Sequence, residues 1–271
     1  MAASTATVFF HVGLGKAAST YLQHAFFPAL EGVRYVPRSA YKRAPDRIRA
    51  SPEGPAWLVS REFDQQLERE CRWFREAMPE ADIRPIIVLR RQDAWLASQY
   101  RRHVKNGSPI AFTEFLDVAA DQGLWHTSDA CFFPKLQFLE QCFGQKPLVL
   151  FHEDLRANPD TFLASLAKQL GADYPAHKVS LSKVHTSYSE HQLRWMRRAS
   201  RILFPKPIAH GTTGWLARRG RLLACYAVLY GSRLLPAGWG DQAPLIDPAE
   251  LAAVADFYAA DWQACLAYAK G

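Results

Sequence analysis

The chain has 271 residues, 49% hydrophobic and 22% charged, with 15 Gly and 17 Pro, a profile that excludes fibrous and broadly disordered proteins. At this length a core closes without disulfide or metal staples. The five cysteines, Cys71, Cys131, Cys142, Cys225 and Cys265, are odd in number and never in a C-x-x-C pair, so they read as small buried hydrophobes in a reducing compartment. Thirty-three basic against 26 acidic side chains leave a formal +7. Residues 183–233 alone hold ten Lys or Arg and one acid, Glu190, so the excess is local; it points to an anionic partner, or more plainly to a solvated basic face.

In chain order, the opening MAASTATVFFHV has no basic n-region and no cleavage site, so residues 7–12 read as a first strand and not as a signal peptide. Further strands are expected at 57–60, 85–89 and 147–151, short apolar runs bounded by Gly, Pro or charge. Helical periodicity fills the intervals at 19–30, 62–78, 92–105, 113–121, 134–143 and 159–170. Asn158-Pro159-Asp160 sets a capping side chain before a proline at the first helical position, and Gly171 follows the last periodic residue. Residues 38–55, rich in Pro, Arg and Ser and without periodicity, read as a mobile basic loop.

Beyond Ser182 the pattern is helical only, at 189–203, 215–233 and 248–270. The last carries Leu251, Val254, Tyr258, Trp262 and Leu266 at the spacing of a core-docking face. The alternation predicts the α/β class: a parallel β-sheet flanked by helices, with a helical C-terminal extension. One domain is expected over 1–271, with a core at 1–182 and a basic helical part at 183–271 packed on it. The most apolar stretch, 222–232, has 11 residues between Arg221 and Arg233, short of the roughly 20 that span a bilayer. A cytoplasmic protein is expected, at most peripheral at the inner face of the membrane.

The most informative local feature is Gly13-Leu14-Gly15-Lys16-Ala17-Ala18-Ser19-Thr20, between the first strand and an amphipathic helix. Small residues let backbone wrap closely around a phosphate. Amides and dipole at the helix start favour its charge, Lys16 adds a cation, and Ser19 and Thr20 add hydroxyl donors. It is not a Walker A loop, which would need glycine at Phe10 and a hydroxyl residue at Ala17; the usual magnesium-binding hydroxyl is missing. A second element is Arg90, at the end of strand 85–89, with Ser98 eight residues on in the following helix. An arginine at that strand end sits beside the crevice where parallel sheets bind ligands, and Ser98 could share a second phosphate with it. Read alone, the first element is equally a plain Gly-Lys turn, and the second reads more readily as a surface basic helix.

Together, GLGKAASTYLQ and LRRQDAWLASQY resemble the two cofactor motifs of the sulfotransferase family that uses 3′-phosphoadenosine 5′-phosphosulfate, its bacterial members above all. The first family motif, G-x-x-K-x-x-[ST]-[ST]-x-L, is matched by Gly13, Lys16, Ser19, Thr20 and Leu22. The second, R-x-P-x-x-R-x-x-S-x-[YF], is matched by Arg90, Ser98 and Tyr100, with departures at Gln92 and Trp95. LVLFHEDLRANPDTFLASLAKQLG is similar to a later strand and helix of the family, with His152 where an aromatic residue often precedes Glu-Asp-Leu. The resemblance covers roughly the first 185 residues.

It implies a loop of Gly13, Gly15, Lys16, Ala18, Ser19 and Thr20 around the 5′-phosphosulfate, and Arg90 with Ser98 on the 3′-phosphate. Lys16 then stabilises the leaving group, and no metal is needed. Segment 180–198 falls where relatives close a loop over the nucleotide, which makes Lys183, His185 and Ser187 candidate contacts. For the base, Glu62 leads: it follows strand 57–60 at another strand end, and Ser60-Arg61-Glu62 looks like the Ser-x-Glu turn that supplies the base in several relatives. A helix-start glutamate complementing the dipole is the plainer account. His11 is the runner-up, ahead of His103 and His126.

The expected acceptor is a hydroxyl of a glycan, lipid or small metabolite, with a slight preference for an anionic one from the 38–55 loop. No nucleic acid partner is expected, whereas the basic helices after 183 suit peripheral contact with an anionic membrane. The alternatives are a P-loop nucleotide kinase and a non-catalytic basic module for polyanions or membranes.

Overall fold

The computed structural model describes residues 5–175, 188–204, 212–236, 239 and 243–271. The strands are β1 Thr7–His11, β2 Arg34–Val36, β3 Trp57–Ser60, β4 Asp82–Leu89 and β5 Leu148–Phe151. The first helical segment, α1, opens as an α-helical turn at Ser19–Tyr21, continues as a π-helical turn at Leu22–Phe26 and ends in a 3-10 turn at Phe27–Ala29. Then follow α2 Ala44–Ala50, α3 Leu67–Ala77, α4 Gln92–Lys105, α5 Phe112–Phe115, α6 Phe133–Phe143, α7 His152–Ala157 and α8 Pro159–Gln169. The C-terminal helices are α9 Glu190–Leu203, α10 Thr212–Gly231, α11 Pro248–Phe257 and α12 Ala259–Lys270. The chain divides into two compact units, one of residues 1–91, 131–184 and 259–271, the other of 92–130 and 185–258. This division departs from the expected boundary at 182/183, since α4 groups with the later helices and α12 with the sheet.

The first unit is the α/β sheet that the alternation predicts. All five strands run parallel in the order β2-β3-β1-β4-β5. β1 is central, with Phe10 opposite Val59 on β3 and Pro85 on β4. The chain builds β2 and β3 on one side of β1, then crosses to build β4 and β5 on the other. That reversal makes the C-terminal ends of β1, β3 and β4 the switch point where open parallel sheets bind ligands.

Side chains alternate across the sheet. Phe10 stacks on Phe74 of α3 and meets Phe143 of α6 edge-on. His11, next along the strand, turns to the opposite face, edge-on to Phe27 of α1. Helix α8 is capped as expected: the Asn158 side chain accepts from the Thr161 amide, Pro159 follows, and Gly171 takes a left-handed φ of 64°.

Four expectations about elements need correction, the first being the helix expected at 113–121, which is a single turn at Phe112–Phe115. Residues 38–55 are not a loop: a 3-10 turn at Arg38–Arg43 runs into α2, and Tyr41, Ala44 and Ile48 are buried. Their spacing is a helical stripe that the surrounding Arg and Pro residues dilute. The helix expected at 62–78 begins only at Leu67, which leaves Glu62 in the extended segment that follows β3. The helix expected at 248–270 is broken at Tyr258, which leaves helical geometry at φ −94° and ψ 4°.

In the second unit α4 packs against α9 and α11, and α9 against α10. Buried Tyr100 donates to the Ile110 carbonyl (2.8 Å) and accepts from Arg197 Nη1 (3.2 Å). The Arg221 guanidinium donates to the Gly107 carbonyl at 2.6 Å and stacks over Phe204. All five cysteines are free thiols, with Cys71, Cys225 and Cys265 buried. Among the described residues no helix is long and apolar enough to cross a membrane.

Candidate active site

The site is built where three strand ends meet, and all the contacts that follow lie within the sheet unit. β1 leads into the loop 13–18. There Gly13 is a steric necessity, since a Cβ at that position would lie 2.2 Å from Ser19 Oγ and 2.5 Å from the His11 ring. Lys16 and Ala18 both adopt left-handed backbone, at φ 70° and 65°. For residues with a Cβ that conformation costs about 1–2 kcal/mol, and it persists here where the chain turns from strand into helix. Ala18 is the N-cap of α1 and has no side chain to satisfy the first-turn amides. A helix start left uncapped by its own chain is suited to an anion.

The loop is braced from β3. The Arg61 amide donates to the His11 carbonyl (3.0 Å) and the Phe63 amide to the Gly13 carbonyl (2.8 Å), continuing the strand pairing past the end of β3. That brings Glu62 beside the loop, where its Oε1 accepts from Thr20 Oγ1 at 3.3 Å. Asp64, which the sequence does not single out, accepts the Gly15 amide at 2.9 Å. From β4, Arg90 reaches back so that its Nη1 donates to the Lys16 carbonyl at 3.2 Å. The backbone after Arg90 is fixed by Glu153, whose Oε1 accepts the Arg91 amide at 3.1 Å. The Glu-Asp-Leu segment thus holds the arginine-bearing turn in place.

The expected residues therefore divide. Gly13, Gly15, Lys16, Ala18, Ser19, Thr20, Glu62 and Arg90 gather around one loop. Besides the Thr20–Glu62 and Arg90–Lys16 bonds, the Gly15 amide is bound to Asp64, and the Ser19 hydroxyl donates to the Leu14 carbonyl at 2.9 Å, in a fully enclosed position. Ser98 belongs to α4 in the second unit and is half-buried there. Lys183, His185 and Ser187 lie outside the described residues.

His11 does not stand in the crevice. It is fully buried, its Nδ1 is 2.8 Å from Ser60 Oγ, and Gln23 Nε2 donates to that same hydroxyl at 3.0 Å. Burial pushes its pKa down to about 3, so it is a neutral ring beneath the loop, with Nε2 unpartnered. A base must reach the proton it removes, and His11 is sealed from solvent. His152 is half-buried; burial, then the guanidinium groups of Arg90 and Arg156, hold its pKa down to about 4. A cavity of about 400 Å³ lined by Thr7, Phe9, Arg84 and Lys168 lies at the N-terminal ends of the strands and contains none of these groups.

The cations of residues 38–55 are partly engaged within the protein. Lys42 pairs with Glu70 at 2.7 Å and lies over Trp73, and Arg49 bonds Asp46 and the Ala77 carbonyl. That weakens the expectation of an anionic acceptor drawn from this segment.

No family model and no curated protein matches the sequence. Among the solved structures similar to the chain are two sulfotransferases. One, from Alicyclobacillus acidocaldarius, has 15% identity and a TM-score of 0.47 over 82% of this chain and 94% of that one. A mouse sulfotransferase complexed with PAP has 11% identity and a TM-score of 0.46 over 98% of this chain and 90% of that one.

Proposed function

We propose that the protein transfers a sulfuryl group from 3′-phosphoadenosine 5′-phosphosulfate to an acceptor hydroxyl. The observation that carries this reading is the convergence of Lys16, Glu62 and Arg90 from three strand ends on one uncapped helix start. Sulfuryl transfer needs charge stabilisation at the leaving phosphate, an in-line acceptor and a base for the acceptor proton. Gly13, which admits no Cβ, and the uncapped amides beyond Ala18 fit a phosphate ester lying close against the loop. Lys16 is suited to neutralise the bridging oxygen as its bond to sulfur breaks. Glu62, held by Thr20, is suited to take the hydroxyl proton as the acceptor oxygen bonds to sulfur. Arg90 supplies the charge for the 3′-phosphate. Against the kinase alternative, Ala17 places a methyl where a Walker loop carries its magnesium-binding hydroxyl.

The test is transfer of radiolabelled sulfate from the donor to a panel of sugar, lipid and small-metabolite hydroxyls. Lys16→Ala is expected to lower kcat by about 10²–10³-fold, and Glu62→Gln by about 10²–10⁴-fold with donor affinity nearly unchanged. Transfer at wild-type rate in both variants would contradict the assignment.

A further inference from the structure

Helix α10 is apolar on two sides, and among the described residues only one of them packs against another helix; on the other, the Tyr188 ring lies edge-on to Tyr230. Cys225, Leu229 and Ser232 are buried, and α10 packs against α9, where Gln192 Nε2 donates to the Leu229 carbonyl at 2.7 Å. Leu223, Tyr230 and Leu234 recur at i, i+7 and i+11 on the opposite side, Leu234 in the turn that follows the helix. They are 70%, 53% and 87% exposed. Ala227 completes the stripe at i+4 and is exposed as well. A helix apolar all round is ordinarily buried all round, so this stripe is a face built for an apolar medium.

The charge around it identifies that medium. From His191 to Gly240 the sequence contains nine Lys or Arg and no acid. Arg219 is exposed at i−4 from Leu223, on the side of the stripe, and Arg233 lies over the Tyr230 ring at 5.3 Å. An acidic protein groove would complement the arginines, and an apolar one the stripe. A sheet of lipid with anionic headgroups over hydrocarbon complements both along the length of the helix. We propose that α10 forms a docking surface for an anionic membrane, with Leu223, Tyr230 and Leu234 entering the headgroup boundary and Arg219 and Arg233 beside them meeting lipid phosphates. This inference is independent of the sulfuryl-transfer reading.

Co-sedimentation of the full chain with phosphatidylcholine vesicles, and with vesicles containing about a third phosphatidylglycerol, tests it. The wild type is expected to partition about tenfold or more in favour of the anionic vesicles, with the preference shrinking as salt is raised. Leu223→Ser, Tyr230→Ser and Leu234→Ser combined are expected to reduce that partition about tenfold or more, with an unchanged far-ultraviolet circular dichroism spectrum. Leu234→Ser alone, at the most exposed of the three, is the measurement to use if the triple variant fails to fold, and a several-fold loss is expected. Absence of wild-type binding, equal binding to both vesicle types, or undiminished binding of the folded variants would overturn the proposal. So would a wild-type dimer in light scattering that these substitutions turn into a monomer, which would assign the face to a second copy of the chain.

Discussion

His11 illustrates how position decides a residue's chemistry. A histidine one residue from a phosphate-type loop invites a catalytic role, yet it is packed edge-on against Phe27 and tied to Ser60, and its neutral form is the one the fold accepts. Its folded pKa, about 3, lies below the ordinary value of 6.5. Between these values the unfolded chain binds a proton that the folded chain does not, so stability is complete above pH 6.5 and is lost as pH falls toward 3. The loss approaches about 1.4 kcal/mol per pH unit. His11→Gln removes this term while leaving those of His103 and His152, which burial also lowers. The stability gap between wild type and variant, measured by urea unfolding, is therefore expected to narrow as pH drops from 7 to about 4.5. A constant gap would show that His11 does not titrate as its burial dictates.

At the scale of elements, the strand ends were legible in the sequence and the braces were not. β3 lies where its pattern places it, and β4 ends at Leu89 before Arg90 as expected. A buried parallel strand is a short apolar run with a sharp charged stop, and that stop fixes where Glu62 and Arg90 emerge. β2 escaped notice because it is a three-residue edge strand that opens with an arginine. Asp64 and Glu153 escaped because their partners, the amides of Gly15 and Arg91, are 49 and 62 residues away. Such bonds exist only after the sheet closes. The same closure makes Gly13 indispensable. Gly13→Ala drives a methyl into Ser19 and the His11 ring, at a cost of about 1–3 kcal/mol. A fall of several degrees in Tm is expected, together with weakened nucleotide binding. A variant that melts and binds like wild type would contradict the crowding of the loop.

Across the whole molecule, chemistry and charge are carried by different parts of the chain. The residues gathered around the loop all belong to the sheet unit, whereas the acid-free stretch from His191 to Gly240 belongs to the other. That separation is legible in the sequence as the local excess of Lys and Arg. It could not show that α10 turns an apolar stripe outward, because Leu, Tyr and Ala at helical spacing read equally well as core. The proposed site would select a nucleotide with two phosphate groups, one at the loop and one at Arg90.

The most direct measurement is calorimetric binding of adenosine 3′,5′-bisphosphate, compared with AMP and with magnesium ATP, to the wild type and to Arg90→Ala. Preference for the bisphosphate is expected, with a loss of about 10–100-fold on removing the guanidinium, the worth of a charge-assisted hydrogen bond. Preference for magnesium ATP, or bisphosphate affinity that Arg90→Ala leaves intact, would contradict it.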